Sequence, residues 1–266
     1  MIPIVVVGAA GRMGRTVIET TKADPVFFLK AGVDKAPRPR DWDPALPWVD
    51  DPGNVLTRGD VAVEFAGPDG AVDAARACVA RGAALVSGGT GLSEEQERTL
   101  REASTSVAIL RSTNFSLGIL ALRRALSAVL SATPEWDIEI VERHHRGKQD
   151  SPSGTALTLA REAASARGYP ASSLRHGREG RVGPRPTAEI GVHAIRGGTW
   201  VGDHQVLLAG PGEWLEFRHV AQDRVAFARG ALTAAEFVAN ASSGFYTLDA
   251  VLSAAAGGKE VVPRSP

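Results

Sequence analysis

The chain has 266 residues, 44% hydrophobic and 23% charged, the make-up of a soluble globular protein with room for one large domain or two smaller ones. Thirty basic side chains balance thirty acidic ones, so net charge recommends neither a nucleic acid nor an anionic membrane as partner. A single cysteine, Cys78, excludes an intrachain disulfide and a cysteine-rich zinc site.

The first residues, Met1-Ile2-Pro3-Ile4-Val5-Val6-Val7, lack the basic flank and length of a signal peptide and read as a buried strand. No later run is long and apolar enough to span a membrane, so the cytoplasm is the expected compartment. Short apolar runs then alternate with helical patterns. Ile4–Val7, Phe27–Val33, Val61–Phe65, Ala84–Ser87 and Val107–Leu110 are predicted strands, and 12–23, 69–81 and 93–104 are predicted helices. Cys78 falls on the apolar side of the second helix, as a buried structural thiol. Alternation of this kind predicts βαβ units and a parallel sheet. The Pro-rich stretch 36–53 reads as a surface loop.

After Asn114 the pattern changes. A helix over about 116–131 leads into the alternating run Trp136 to Glu142, and a second helix covers 152–167. Residues 171–186 read as a long loop. Three alternating strands near 188–196, 199–209 and 213–220 follow, then a helix around 231–241. Clustered strands after a βαβ series predict a second, α+β domain with an open sheet.

Two segments carry chemistry. In Gly8-Ala9-Ala10-Gly11-Arg12-Met13-Gly14 a strand runs through a glycine turn into a helix, whose amino-terminal N–H groups and partial positive charge suit a pyrophosphate. The spacing is Gly-x-x-Gly-x-x-Gly. Asp34 ends the second predicted strand, 20 residues after Gly14, where an acid bonds ribose hydroxyls. Lys35 and Arg38 follow and can pair with a 2′-phosphate, so NADH and NADPH are both expected. Two small-residue loops, Phe65 to Pro68 and Ser87 to Gly91, fall at the carboxyl ends of further strands and leave room for the nicotinamide half.

The second segment runs from Glu142 to Ala156. Arg143, His144, His145, Arg146 and Lys148 sit where a strand ends, and Ser153-Gly154-Thr155 opens a helix. Cations beside a helix amino terminus make an anion site suited to a carboxylate, and histidine and lysine can both donate protons. Adjacent histidines on a strand point opposite ways, so no metal site is expected. The segment has no interleaved aromatics, and no nucleic-acid contact is expected. His176, His193, His204 and His219 stand alone and read as structural or surface residues.

Glu142 to Ala156 resembles the signature Glu-x-His-His-x-x-Lys-x-Asp-x-Pro-Ser-Gly-Thr-Ala of the dihydrodipicolinate reductase family at every fixed position. The glycine turn is similar to that family's cofactor loop, and Asn114-Phe115-Ser116-Leu117-Gly118 to its hinge segment. Arg196-Gly197-Gly198 and Val201-Gly202-Asp203-His204 resemble its late strands. The resemblance covers nearly the whole chain. It implies a Rossmann-type parallel-sheet domain over 1–115 plus 229–266, and a substrate-binding and oligomerisation domain over 116–228 that builds a homotetramer.

The implied reaction is NAD(P)H-dependent reduction of 4-hydroxy-tetrahydrodipicolinate, a small dicarboxylate, to tetrahydrodipicolinate with loss of water, in lysine biosynthesis through diaminopimelate. By match to the motif, His144 is the implied acid/base and Lys148 a proton donor. His145, Ser153, Gly154 and Thr155 hold the substrate. Gly8, Ala9, Ala10, Gly11, Arg12 and Met13 line the cofactor with Asp34, Gly88, Gly89, Thr90, Ser112, Thr113, Asn114 and Phe115. The chain departs from the family's Gly-Thr-Thr-Gly at Gly88-Gly89-Thr90-Gly91, and from its Phe-Thr at Phe65-Ala66. Two other readings fit the residues less well. A different two-domain nicotinamide oxidoreductase acting through a thioester needs a nucleophilic cysteine, for which Cys78 is poorly placed. A non-catalytic NAD(H) sensor has no use for the His144–Lys148 cluster.

Overall fold

The computed structural model describes residues 1–255, which divide into two compact units, Met1–Phe115 with the described residues from Arg224 onward, and Ser116–Asp223. The first opens with β1 (Ile2–Val7), α1 (Arg12–Ala23) and β2 (Phe27–Val33). It continues through β3 (Trp48–Val49), β4 (Val61–Glu64), α2 (Pro68–Arg81), β5 (Ala84–Ser87), α3 (Glu94–Ala103) and β6 (Ala108–Arg111). The five strands predicted from apolar runs all form. β3 is new: it lies within the Pro-rich stretch, where Trp42 is also buried, so that stretch is partly structured. Helix α3 starts with a full capping box between Ser93 and Gln96.

The second unit holds α4 (Leu117–Ala132), β7 (Asp137–His144), α5 (Gly154–Arg167), β8 (Leu174–Arg175), β9 (Ile190–Arg196), β10 (Gly202–Gly210) and β11 (Glu213–Ala221). Then α6 (Val225–Ala239), β12 (Gly244–Tyr246) and α7 (Leu248–Ala255) complete the first unit. The expected return at residue 229 falls inside α6, whose first turn already belongs to the first unit. The remainder of the expected 229–266 segment beyond 255 lies outside the described residues. Neither β12 nor α7 has a sequence signal long enough to predict.

The first unit's sheet has the order β12-β6-β5-β4-β1-β2-β3, and every pairing is parallel. Its strands read as unbroken apolar runs because both faces are covered: α2 packs with α3, and α1 with α6. Cys78 lies in the α2 core, where burial pushes its thiol up to about 12. The thiol is inert at neutral pH. Strand order reverses between β1 and β4, so the crevice of this doubly wound sheet opens at the carboxyl ends of those two strands.

The second unit is a five-stranded mixed sheet in the order β11-β10-β7-β9-β8. Strand β7 is central, antiparallel to β10 and parallel to β9. Its period-2 pattern puts Ile138 and Ile140 into a core with α4 and α5. The opposite face carries charge. Asp203 is clamped there by Arg143 and Arg218, and Glu139 by Arg178, Arg185 and His193. Arg178 and Arg185 reach Glu139 from the predicted loop 171–186, which is therefore pinned to the sheet. Among the described residues, no helix is long and apolar enough to cross a membrane.

Candidate active site

The glycine turn is built by contacts that tolerate no side chain. Gly8 has φ +84° and packs on the strand end opposite: a Cβ there would stand 2.8 Å from the Phe65 carbonyl. At Gly14 a Cβ would fall 2.1 Å from the Gly8 oxygen. Helix α1 therefore begins directly against the turn, and its cap residue, Gly11, has no side chain to spend on the first N–H groups. Those donors and the positive end of the helix dipole suit a phosphate.

A cavity of about 630 Å³ opens here, lined in part by Gly8, Ala10, Gly11, Asp34, Lys35 and Ala66. Asp34 does more than face this space. One carboxylate oxygen accepts the Ala10 N–H at 2.8 Å and the other accepts the Ala36 N–H at 2.8 Å. It ties the turn to the end of β2. Three further acids, Asp50, Asp69 and Asp73, line the cavity against the single cation Lys35.

Of the other residues expected beside the cofactor, Ala9 is buried, whereas Arg12 is exposed on the first turn of α1 with Met13 half-buried beside it. Gly88 and Gly89 are buried and Thr90 exposed just past β5. Ser112, Thr113, Asn114 and Phe115 follow β6 on the same edge of the sheet. There the Ser112 hydroxyl closes a turn onto Asn114, and Phe115 stacks edge-on against Phe65.

The second cluster continues the buried face of β7. After Ile138 and Ile140 the row turns polar: Glu142 is 0% exposed and His144 7%. Their rings and carboxylates meet because residues two apart on a strand share a face. His144 Nδ1 lies 2.5 Å from Glu142 Oε2. Arg196, from β9, clamps the same carboxylate with two bonds of 2.8 Å, and the Ser153 N–H donates to it at 2.9 Å. Burial alone would raise the Glu142 pKa. The bonds from His144, Arg196 and Ser153 prevail and hold it at about 2. Glu142 is thus a fixed anion behind His144.

Ser153 caps α5, its hydroxyl accepting the Ala156 N–H. The same oxygen lies 3.0 Å from His204 Nε2, and the His204 ring stands edge-on to His144 at 5.1 Å. Burial first, and then the neighbouring His144, hold His204 down at about 4, so it is neutral at physiological pH. Of the expected structural or surface placements, His204 has the first: it is buried within this cluster.

His145 follows β7, its N–H donating to the Trp200 carbonyl, and Lys148 pairs with Asp150 at 2.8 Å. The space beside Gly154 is open for 4 Å, whereas Gly202 lies against His144 Nε2, where a Cβ would come within 3.3 Å. His144, Ser153 and Glu142 are therefore brought together directly. Lys148, His145 and Gly154 lie on the segment leading from β7 into α5, with Thr155 in its first turn. Glu142, Arg196 and His204 are the residues that sequence reasoning gave no role. Glu142 had a usable signal, its period-2 relation to His144; Arg196 and His204 lay in segments that resemble the family's late strands, but their partners are 54 and 51 residues away.

The same chain matches known proteins over most of its length. The family model described as dihydrodipicolinate reductase, N-terminus, matches residues 2–115, and that described as dihydrodipicolinate reductase, C-terminus, matches 118–252. A 4-hydroxy-tetrahydrodipicolinate reductase of Rubrobacter xylanophilus is 43% identical over 95% of this chain and 99% of its own. One from Desulfovibrio desulfuricans is 41% identical over 91% and 95%. A dipicolinate-bound dihydrodipicolinate reductase from Paenisporosarcina sp. TG-14 shares the fold, with a TM-score of 0.76 at 22% identity over 93% of this chain and 97% of that one. With both units matched in order by one family's models, the chain belongs to the dihydrodipicolinate reductase family, whose members are oxidoreductases.

Proposed function

We propose that this chain reduces 4-hydroxy-tetrahydrodipicolinate to tetrahydrodipicolinate with loss of water, at the expense of NADH or NADPH, in lysine biosynthesis through diaminopimelate. The observation that carries the site assignment is the buried Glu142–His144 pair at the end of β7. A carboxylate held ionised against Nδ1 fixes the ring and leaves Nε2 as the atom that holds or moves a proton. His144 is the acid/base in this reading, and Lys148 supplies a second proton. Arg196 offsets the buried charge of Glu142. His145, Ser153, Gly154 and Thr155 hold the substrate's carboxylates at the start of α5, where the helix dipole favours anions.

The residues of the first unit fit a dinucleotide: the side-chain-free turn at Gly8 and Gly14, the open start of α1 and the acid at the end of β2 are each a requirement of that group. Gly8 to Met13 and Asp34 hold its adenosine diphosphate half in this assignment. Gly88 to Thr90 and Ser112 to Phe115 line the other half. When bound, the nicotinamide supplies hydride; the chain's own part is to orient both partners and to deliver protons. The acids around the cavity favour the unphosphorylated ribose, with Lys35 as the opposing charge.

The outer face of the second unit's sheet supports the proposed homotetramer. Trp214 is 70% exposed on β11, with Val220 on the same face, apolar surface that a second copy would cover. The cytoplasm, where nicotinamide cofactors are kept, is the compartment this reading implies. A coupled assay tests the function: pyruvate and aspartate semialdehyde with the preceding synthase generate the substrate, and absorbance reports cofactor oxidation. Cofactor oxidation independent of the synthase, or none at all, would overturn the assignment.

A further inference from the structure

Glu64, the last residue of β4, is 0% exposed in a parallel sheet whose buried side chains are mostly apolar. Burial raises its pKa, against the bonds from Ser87, Ala66 and Gly89 and the charge of Arg111. Such a group is costly to bury unless its bonds do something for the fold or the site. Its bonds reach both loops at the carboxyl edge. Oε1 accepts the Ala66 N–H at 2.5 Å, and Oε2 accepts the Ser87 hydroxyl at 2.7 Å and the Gly89 N–H at 3.3 Å. Arg111, at the end of β6, adds bonds to the Ser87 and Ser112 carbonyls and to Glu97.

Gly89 is the position where this chain departs from the family's Gly-Thr-Thr-Gly, and its backbone does not demand glycine, since its φ is not positive. Space does. A Cβ at 89 would stand 3.1 and 3.2 Å from the two Glu64 oxygens and 3.3 Å from the Gly67 carbonyl. The atoms of a threonine beyond Cβ would have to share the volume that the carboxylate fills. The second departure, Ala66, is the residue whose N–H the same carboxylate holds.

We propose that Glu64 is a positioning residue for the cofactor: its carboxylate occupies the place of the side chain absent at Gly89, and sets the backbone of the 65–68 and 87–91 loops in its stead. The proposal rests on the reading that these loops line the nicotinamide half of the cofactor. Residues 64 and 89 are then one unit, in which a longer side chain at either end requires a shorter one at the other.

The test is a double-variant cycle read by fluorescence titration with NADH in the absence of substrate, alongside thermal melting. Gly89→Thr should weaken NADH binding about tenfold, the scale of a charge-assisted hydrogen bond lost from the loop. Glu64→Asp alone should weaken it by about threefold, because a carboxylate drawn back by one methylene loses part of its reach to Ala66 and Gly89. The Glu64→Asp/Gly89→Thr double variant should bind within about threefold of the parent, since the shorter acid frees the volume the threonine needs. Gly89→Ala adds only the Cβ, and keeps the question open to measurement should Gly89→Thr not fold. NADH binding unchanged in the folded Gly89 variants, or a double variant no better than Gly89→Thr, would overturn the proposal. A melting temperature that recovers in the double variant without recovery of NADH binding would reduce Glu64 to a structural role, and so also overturn it. Failure of the parent chain to bind either NADH or NADPH would instead sink the cofactor reading beneath it.

Discussion

The turn after β1 offers backbone, while the end of β7 offers side chains. At the first, Gly8 and Gly14 let the turn pack against its own backbone where no side chain fits, and the charge comes from a helix end. At the second, charge comes from Glu142, His144 and Arg196, all drawn into a region continuous with the Ile138–Ile140 core. A backbone site is rigid and tolerates almost no added volume, but it has little to titrate. A buried side-chain site tolerates isosteres poorly in function, and responds to pH.

The largest expected effect lies at the side-chain site. His144→Gln keeps volume and removes the imidazole, so turnover should fall by at least ~10²-fold, with NADH affinity in the other unit unchanged. Lys148→Ala should do likewise. Steady-state kinetics with a parallel NADH titration separates the two; full turnover in either variant removes that residue from the mechanism.

The backbone site should break in the opposite manner. Gly14→Ala places a Cβ 2.1 Å from the Gly8 oxygen, a contact that only backbone movement can relieve. Overpacking of this kind costs about 1–3 kcal/mol, and the displaced turn should lose about tenfold or more in NADH affinity. Calorimetric melting and NADH titration would show it. Unchanged affinity would mean that the turn does not hold the pyrophosphate.

Acid should distinguish the two units by sign. Glu142 and Glu139 titrate at about 2 in the folded chain against an ordinary 4.5: burial raises both, but their bonds to His144, Arg196 and Ser153, or to Arg178, His193 and Arg185, lower them further. Groups depressed in this way stabilise the fold above the ordinary value. That contribution is lost as pH falls from 4.5 toward 2. Glu64 is raised instead, so its contribution is fullest below the ordinary value and declines as pH rises. Between neutral pH and pH 3, hydrogen exchange corrected for its intrinsic rate should show β7 and β9 losing protection before β4 and β5. Simultaneous loss would show that these carboxylates do not govern acid stability.

The contrast between the units also explains what the sequence made legible. Buried parallel strands announce themselves as apolar runs, and the glycine turn as spacing; β1, β2, β4, β5 and β6 were predictable for that reason. The period-2 pattern likewise placed β7, and the cationic cluster marked its end. Two-residue β3 and β8 and three-residue β12 are too short for any periodicity, and exist because a neighbouring strand edge is available. Glu142 stood inside the recognised motif, yet its role depends on Arg196, which arrives from another strand. Asp34 was legible as an acid at a strand end; that both its oxygens already hold backbone N–H groups was not.

Asp34 also sets the smallest and most discriminating expectation. A carboxylate that reads the ribose disfavours a 2′-phosphate, and Asp50, Asp69 and Asp73 line the same cavity. Lys35 opposes them, and Arg38 is exposed nearby. Exposed charges of this kind contribute ~1 kcal/mol or less each, so NADH and NADPH should differ in kcat/KM by no more than roughly tenfold, with NADH ahead. Because more acids than bases face the cavity, salt should screen more repulsion than attraction, and the NADH advantage should shrink as ionic strength rises. Lys35→Ala should widen that advantage. Asp34→Ala should narrow it, but at a cost to both cofactors, because Ala10 and Ala36 lose their shared acceptor. Asp34→Asn keeps an acceptor for one of them and removes the charge, so it should shift the ratio with less damage to the turn. Kinetics with both cofactors at two ionic strengths measures each term. Equal losses for NADH and NADPH in both variants would mean that Asp34 ties the turn to β2 and reads nothing of the ribose.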